Sequence, residues 1–173
     1  MQKQFLAQNK LIGLRLTTEN DLDFVLKAEY HADNNAFVGQ WTREQHQEVF
    51  SDKHRAHLIA ESTEGSQVLG YLIVTGLETL NQSVCLQRIV ITEKGQGYGR
   101  AALGLVKKLA FEQWQAHRLW LDVKDHNLRA RHVYETEGFT AEGLLRECLK
   151  KGDHFESVII MSILRQEYAA KEQ

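Results

Sequence analysis

Three closely spaced glycines, at positions 95, 97 and 99, separate an aliphatic run from a long amphipathic segment. The stretch reads I-T-E-K-G-Q-G-Y-G-R-A-A-L, and the aliphatic run L-Q-R-I-V-I lies just before it. This order predicts a strand, a glycine-rich turn and a helix. Glycines there let the backbone approach an anion closely, and the N-terminus of the following helix favours negative charge. The turn is therefore the first candidate for a ligand-binding site.

The remaining pattern predicts one mixed sheet with helices on both faces. Alternating apolar residues predict a first strand at 11–17, and Thr18 begins a predicted helix that ends near His31. Thr42 and Gln45 form a capping-box pattern for a short second helix. An α/β fold follows from the order of these and the remaining elements, which are predicted strands at 57–61, 68–75, 84–92, 118–123, 139–149 and 155–164 and predicted helices at 101–115 and 128–137.

Length and composition predict a single domain over residues 1–173. A chain that is 43% hydrophobic and 25% charged is typical of an ordinary globular protein. The net charge of −2 gives no case for nucleic-acid binding, and the apolar runs are too short for a membrane span. We expect Cys85 and Cys148 to be reduced thiols packed in strands of a cytoplasmic protein, and the polar residues 165–173 to form a frayed tail.

Two other kinds of phosphate-binding loop compete for the glycine stretch. A Walker loop needs G-x-x-x-x-G-K-[ST], which this sequence lacks. The dinucleotide fingerprint G-x-G-x-x-[G/A] fits Gly97, Gly99 and Ala102, and Asp122 follows about 20–25 residues later. That fingerprint belongs in the first strand–helix turn of a repeating unit, whereas three predicted strands with hairpin-like spacing precede this loop. An NAD(P)-binding oxidoreductase is therefore the less favoured alternative.

A second motif, about 30 residues downstream, decides between these interpretations. The segment D-H-N-L-R-A-R-H-V-Y-E-T-E-G-F places Asn127, Ala130 and Tyr134 on one helix face. Together with K-G-Q-G-Y-G it resembles the GNAT superfamily of N-acetyltransferases, whose phosphate loop is [R/Q]-x-x-G-x-[G/A] and whose later helix commonly reads N-x-x-A-x-x-x-Y-E-x-x-G-F. The two ends of the chain resemble the ribosomal-protein and diamine acetyltransferase branches. Lys94 and a short, proline-free loop entry depart from the family pattern.

The resemblance implies a mixed, mostly antiparallel sheet of about seven strands with helices on both faces. It also implies acetyl-CoA as the cosubstrate and no metal. The pyrophosphate would lie in the glycine loop, and the pantetheine arm would pair with the preceding strand like an added strand. The implied cofactor-binding residues are Ile89, Val90, Ile91, Lys94, Gly95, Gln96, Gly97, Tyr98, Gly99, Arg100, Asn127 and Tyr134.

The reaction implied by the resemblance is direct transfer of the acetyl group to a primary amine, such as a polyamine or a protein N-terminus. Tyr134 would be the general acid that protonates the departing CoA thiolate, and otherwise it is a core tyrosine. Asn127 would hydrogen-bond the pantetheine arm, cap its helix, or do both. A CoA-binding module without catalytic activity is a further alternative.

The sequence says less about the residues that would bind or deprotonate the amine acceptor. Glu29, Asp33 and Glu78 are candidates for a general base or for attracting a cationic substrate, but solvated surface positions are the commoner alternative, and the base stays unassigned. Trp41 and Phe37 would form either a substrate wall or anchors for their own loop. The expected partners are acetyl-CoA and an amine acceptor, without nucleic acid or membrane, and a homodimer is left open.

Overall fold

The computed structural model describes residues 4–171, which form an eight-stranded sheet flanked by helices. The strands are β1 (Ala7–Gln8), β2 (Ile12–Leu16), β3 (Arg55–Ser62), β4 (Val68–Thr75), β5 (Ser83–Ile91), β6 (Arg118–Lys124), β7 (Thr140–Lys151) and β8 (His154–Leu164). The α-helices are α1 (Leu22–Tyr30), α2 (Ala32–Asn35), α3 (Arg43–Phe50), α4 (Tyr98–Lys108), α5 (Leu128–Thr136) and α6 (Arg165–Lys171). A 3-10 turn, Glu19–Asp21, precedes α1, and a π-helical segment, Leu109–Gln113, continues α4.

The strand order is β1-β2-β3-β4-β5-β6-β8-β7, and the pair β5–β6 is the parallel one. This pair is short, because β5 and β6 are in register only from Ser83–Arg118 to Cys85–Trp120. Beyond it, β5 continues along β4 to Ile91, while β6 continues along β8 to Lys124. The sheet therefore opens between β5 and β6, in the half nearest the glycine loop.

Two apolar clusters fill the opposite faces of the sheet. The larger contains Leu103 and Val106 of α4, and Val133 and Tyr134 of α5 pack against it. The smaller contains Val25 and Ala28 of α1 with residues of β3, β4 and β5. Burial on both faces makes β3 and β4 nearly continuous apolar runs, with six buried residues in a row in each. Helices on both faces confirm the predicted fold class.

The predicted elements are confirmed with small shifts at their ends, and the sheet has eight strands instead of about seven. The additional strand is β1, which is two residues long and pairs with β2. Thr42 and Gln45 form the predicted capping box. The helix after the glycines starts at Tyr98 instead of residue 101, because Gly97 is itself the N-cap, with a φ of 82°.

Two expectations about exposed residues were wrong. The polar tail is not frayed as far as Lys171, because α6 forms and the Tyr168 ring stacks on Phe111 with 4.9 Å between ring centroids. Residues 172 and 173 lie outside the described residues. Cys148 is exposed on β7 instead of packed, whereas Cys85 is half-buried. None of the helices in residues 4–171 is long and apolar enough to cross a membrane.

Candidate active site

The opening between β5 and β6 is the centre of the candidate site. On the β5 side, Gln87 is an extra residue, since β4 pairs Ile73 with Arg88 and Val74 with Leu86. Such a bulge leaves one residue outside the regular ladder and turns its backbone. Continuing the β5–β6 register from Cys85–Trp120 by two residues would place Gln87 opposite Asp122, where the strands have already separated. An unpaired strand segment and a carboxylate therefore border the same opening.

The glycine loop lies at the end of β5 and is open towards solvent. Gly95 and Gly97 have φ values of 78° and 82°, a left-handed conformation that glycine adopts without steric cost. A Cβ built on Gly95, Gly97 or Gly99 would meet no heavy atom within 4 Å. The loop runs into the N-terminus of α4, where backbone N–H groups and the helix dipole favour an anion. These residues fit a bound pyrophosphate.

Two cationic side chains near this loop are already bound to protein groups. Lys94 Nζ donates to Asn34 Oδ1 at 2.9 Å, which links the loop to α2. Burial lowers the pKa of Lys94, and the nearby Arg129 lowers it further, while Asp33 opposes the shift. Arg100 Nη1 lies 3.1 Å from Glu137 Oε1. The available anion-binding groups of the loop are therefore its backbone N–H groups.

Tyr134 lies on α5, half-buried against the larger apolar cluster. Its ring centroid is 6.0 Å from that of Phe139. Burial raises the pKa of Tyr134 to about 12, and the negative charge of Asp122 adds to the shift. The phenol therefore carries its proton at neutral pH, as a general acid must. Within the described residues its hydroxyl has no hydrogen-bond partner, so it is free to bind a ligand.

Asn127 has the structural role that the sequence left open. Its side chain accepts a hydrogen bond from the Ala130 N–H at 3.2 Å, which makes it the N-cap of α5. The cap uses the oxygen of the side-chain amide, so the NH2 group stays available to a ligand. Capping and ligand binding are therefore compatible in this residue.

Asp122 is a residue of the opening that sequence reasoning did not place there. The sequence offered it only as the acidic residue of a dinucleotide fingerprint, yet its side chain is exposed at the opening. Loss of hydration raises the pKa of this carboxyl, and its charge raises in turn the pKa values of Tyr134 and Cys85. It forms no ion pair with another described residue. The spacing of a strand-end acid before the N-x-x-A-x-x-x-Y helix was the signal that could have identified it.

The proposed substrate residues Glu29, Asp33 and Trp41 lie in different environments. Glu29 is completely buried, which differs from the solvated position that the sequence favoured for it. Its carboxylate accepts a hydrogen bond from Tyr71 Oη at 2.6 Å and from the Trp41 N–H at 2.9 Å, and it pairs with Arg88. Asp33 is exposed near His31, and Glu78 is half-exposed beside Lys53. Glu29 thus contacts protein groups instead of the opening.

Glu29 belongs to a larger buried group, which we call the Glu29 network: Glu29, His46, His57, Tyr71 and Arg88. His46 Nε2 lies 3.2 Å from Glu29 Oε1, and His46 Nδ1 lies 3.0 Å from His57 Nε2. Although burial raises the pKa of Glu29, the hydrogen bonds and the Arg88 charge bring it below its usual value. Burial, and then the neighbouring His46, lowers the pKa of His57 to about 3. The network joins α1, α3 and three strands.

Trp41 and the loop before it are held in place from two sides. The Arg88 guanidinium lies over the Trp41 ring, 4.4 Å from its centroid. On the β6–β8 side, Lys124 Nζ and Lys151 Nζ donate to the Ala36 carbonyl at 2.7 and 3.2 Å. Phe37 contacts the His126 ring, with 5.7 Å between centroids. Phe37 and Trp41 therefore act at least as anchors of this loop, which borders the opening.

Comparison with known proteins gives this geometry its context. A family model described as the acetyltransferase (GNAT) family matches residues 26–139, from α1 to the end of α5. The chain belongs to the GNAT acetyltransferase family. The matched span contains both sides of the opening, the glycine loop and Tyr134. The family match gives no support to the NAD(P)-dependent alternative.

Characterised relatives of this GNAT protein act on spermidine. Spermidine N(1)-acetyltransferase of Vibrio cholerae is 24% identical over 177 residues, covering 95% of this chain and 99% of that protein. The corresponding enzyme of Escherichia coli K12 is 25% identical over 172 residues, covering 94% of this chain and 90% of that protein. An uncharacterised N-acetyltransferase of Mycobacterium tuberculosis is 30% identical over 115 residues, covering 66% and 70%.

The fold is shared with a solved structure of this kind. The crystal structure of spermidine N-acetyltransferase from Vibrio cholerae in complex with CoA and spermine matches with a TM-score of 0.84 at 21% identity, covering 93% of this chain and 99% of that one. Family and relatives together confirm that the chain is an N-acetyltransferase that uses acetyl-CoA as its cosubstrate. Within the described residues, no group of three or more His, Cys, Asp or Glu side chains is arranged to hold a metal ion.

Proposed function

We propose that this GNAT enzyme acetylates a primary amine of a polyamine, with spermidine as the first acceptor to test, by direct transfer from acetyl-CoA. One observation carries the proposal: the opening between β5 and β6 is bordered by the bulged Gln87, the exposed carboxylate of Asp122 and the protonated phenol of Tyr134. A carboxylate and a phenol supply the proton acceptor and the proton donor that amide formation from a thioester requires.

The Asp122 carboxylate and the names of the relatives support a cationic acceptor. Asp122 exposes a carboxylate at the opening, and it forms no ion pair with a lysine or arginine among the described residues. An acidic group that is free of protein cations attracts and orients an ammonium group. The relatives from Vibrio cholerae and Escherichia coli carry the name of a polyamine, spermidine. A protein N-terminus is the second acceptor class to be compared.

Two residues of the opening, Asp122 and Tyr134, carry out the proton transfers. Asp122 takes a proton from the acceptor ammonium, and its raised pKa makes it a better base than an ordinary carboxylate. The neutral amine then forms a bond to the acetyl carbonyl carbon as the carbon–sulfur bond breaks, and the second proton that its nitrogen must lose passes to solvent. Tyr134 donates its proton to the departing sulfur, and the proton held by Asp122 returns through solvent to Tyr134. Both groups thus end in their starting states.

Backbone groups contribute more than side chains to binding of the cosubstrate. The N–H groups from Gly95 to Arg100 would hold the pyrophosphate at the start of α4. Charge-assisted hydrogen bonds of this kind contribute about 1.5–3 kcal/mol each. The unpaired edge of β5 from Gln87 to Ile91 would receive the pantetheine arm, and the Asn127 amide lies at the start of the helix that carries Tyr134.

A thiol-release assay with acetyl-CoA and a panel of amines tests this function. We expect release with spermidine, and less with lysine or a peptide N-terminus. Tyr134→Phe should lower kcat about 100-fold or more and change the Kd of CoA less than about threefold. Tyr30→Phe, at an exposed tyrosine, is the matched control and should leave kcat unchanged.

The variant Asp122→Asn tests the proposed base separately from the proposed acid, Tyr134. We expect it to lower kcat/KM and to remove the acidic limb of the pH profile, while Tyr134→Phe retains that limb. Binding of acetyl-CoA by calorimetry without turnover of any amine would support a non-catalytic module instead, and absence of binding would refute the assignment of the glycine loop.

We also propose that the enzyme is cytoplasmic. The support is its cysteine chemistry, since Cys85 and Cys148 are both free and an unpaired, exposed thiol persists in a reducing compartment.

A further inference from the structure

The bulge at Gln87 changes the face of the sheet on which the rest of β5 lies. Before the bulge, Leu86 pairs with Val74, and both belong to the larger apolar cluster. After it, Arg88 pairs with Ile73, which belongs to the smaller cluster beside α1. Residues two apart in a regular strand share a face, so Arg88 would lie with Leu86 if the bulge were absent. The bulge therefore brings Arg88 to the α1 face of the sheet.

On this face the Arg88 side chain contacts α1 and the loop that carries Trp41. Its Nη1 donates a hydrogen bond to Glu29 Oε1, and its guanidinium lies over the Trp41 ring, 4.4 Å from the centroid. A Cβ built on Gly39 would lie 3.4 Å from Arg88 Nη2, so the loop backbone also comes close to the guanidinium. The Arg88 side chain is only 10% exposed. Arg88 is thus a nearly buried link between the bulged strand and this loop.

The link joins two borders of the opening that must be aligned for acetyl transfer. Gln87, the residue just before Arg88, lies on the strand edge to which we assign the pantetheine arm. The loop borders the same opening from the α1 face and is fixed on its other side through the Ala36 carbonyl, which accepts from Lys124 and Lys151. The Arg88 side chain therefore sets how far this loop stands from the bulge.

We propose that Arg88 is a positioning residue of the acetyl transfer. It holds the Trp41 ring as a wall that keeps the acceptor amine in line with the thioester lying along β5. The reacting atoms must come within about 3–3.5 Å of each other, and a displacement of about 1 Å can lower the rate about 100-fold. The proposal rests on the proposed site between β5 and β6, but not on spermidine as the acceptor.

An arginine guanidinium can do here what a lysine ammonium cannot. Its planar group stacks on an aromatic ring and donates hydrogen bonds within its own plane to a carboxylate, whereas an ammonium is a compact point charge. Arg88→Lys therefore keeps a cation beside the buried Glu29 carboxylate and removes the planar contact with Trp41. If Arg88 only neutralised Glu29, lysine would restore both stability and turnover. The substitution thus separates positioning from charge neutralisation.

Steady-state kinetics of Arg88→Lys test the proposal, with the amine of the panel that the wild-type enzyme turns over fastest. We expect kcat to fall at least about tenfold, because the amine is no longer held in line, and the melting temperature to fall by less than about 4 °C. The Kd of CoA should change less than about threefold, since we assign CoA binding mainly to the glycine loop. Arg55→Lys is the matched control, because Arg55 also lies on a strand and pairs with an acid, Asp52, at 2.6 Å. It should leave kcat unchanged.

Trp41→Leu shows whether Arg88 acts through the ring. We expect a similar loss of kcat, and a double variant Arg88→Lys/Trp41→Leu within about threefold of Trp41→Leu alone, because the guanidinium then has no ring to hold. The indole N–H resonance of Trp41, identified by its loss in Trp41→Leu, reports the contact without turnover. It should shift in Arg88→Lys and stay in place in Arg55→Lys.

An Arg88→Lys variant with wild-type kinetics overturns the proposal, and so does one whose KM for the amine rises while kcat is unchanged, since that is a loss of binding alone. Losses that multiply in the double variant also overturn it, because Arg88 and Trp41 would then act independently. A wild-type enzyme that turns over no amine refutes the proposed function instead. The Trp41 resonance then still tests the contact, and an unshifted resonance overturns it.

Discussion

The glycine loop and the Glu29 network both adjoin β5, but their polar groups lie in opposite environments, open in the loop and buried in the network. In the loop, backbone N–H groups and glycine surfaces face open space, and no side chain fills the volume beside Gly95, Gly97 and Gly99. In the network, a wholly buried carboxylate is surrounded by polar groups of four other residues. The loop keeps its binding capacity for a ligand, whereas the network uses its capacity to fix the elements around the site. Substitutions in the two regions should therefore affect different measurements.

Glu29→Ala should have the largest effect of the changes considered for these two regions. It leaves Arg88 without its buried partner and the Trp41 N–H without its acceptor. Breaking a buried ion pair costs about 3–5 kcal/mol. Urea unfolding should show a loss of this size, while Glu48→Ala, at an exposed position on α3, should cost less than about 0.5 kcal/mol. A loss below about 1 kcal/mol would contradict the anchoring role of the network.

The pH dependence of stability should come from the network rather than the loop. The pKa of His57 falls from 6.5 to about 3 on folding, so between these values the unfolded chain binds the proton and the folded chain does not. The free energy of unfolding should therefore decrease as pH falls from 6.5 towards 3, with a slope of up to about 1.4 kcal/mol per pH unit. His57→Gln should reduce that slope in urea titrations at several pH values. An unchanged slope would show that other groups dominate it.

Gly97→Ala should affect CoA binding by the glycine loop more than it affects the stability of the protein. At a φ of 82° a Cβ costs about 1–2 kcal/mol, and here it would also extend into the space that we assign to the pyrophosphate. Calorimetry should show CoA binding weakened at least about tenfold.

Gly104→Ala is the matched control for this change. Gly104 lies within α4, where a Cβ also meets open space, so the substitution should stabilise the protein by about 0.5–1 kcal/mol. It should leave the Kd of CoA unchanged. Equal losses of binding in the two variants would argue against an anion site at Gly97.

Much of the fold could be predicted because its signals are local. Thr42 and Gln45 predicted the start of a helix, and the glycines after L-Q-R-I-V-I predicted the end of a strand followed by a helix. The two-residue β1 and the helix α6 were missed, because neither has enough residues for a periodic pattern. Both depend on distant partners, β2 for the strand and Phe111 for Tyr168.

The environments of individual acids could not be predicted in this way. Glu29 and Glu78 look alike in the sequence, yet one is wholly buried and the other is half-exposed. Asp122 lies at the opening only because β5 and β6 separate two residues before it. Burial and charge pairing depend on residues far apart in the chain, such as Glu29 and Arg88.

By itself, the sequence determined the family, the cosubstrate and the two motifs to which we assign its binding, since glycine conformation and helix-face spacing are local properties of the chain. Only the tertiary structure decided that Lys94 reaches Asn34, that Glu29 is buried in a network instead of meeting solvent, and that Asp122 lies close enough to Tyr134 for its charge to raise the Tyr134 pKa. It also decided that β7 is left uncovered. The physical reason is that exposure, pKa and pairing are set by which distant strands and helices come together, and local sequence does not encode that arrangement.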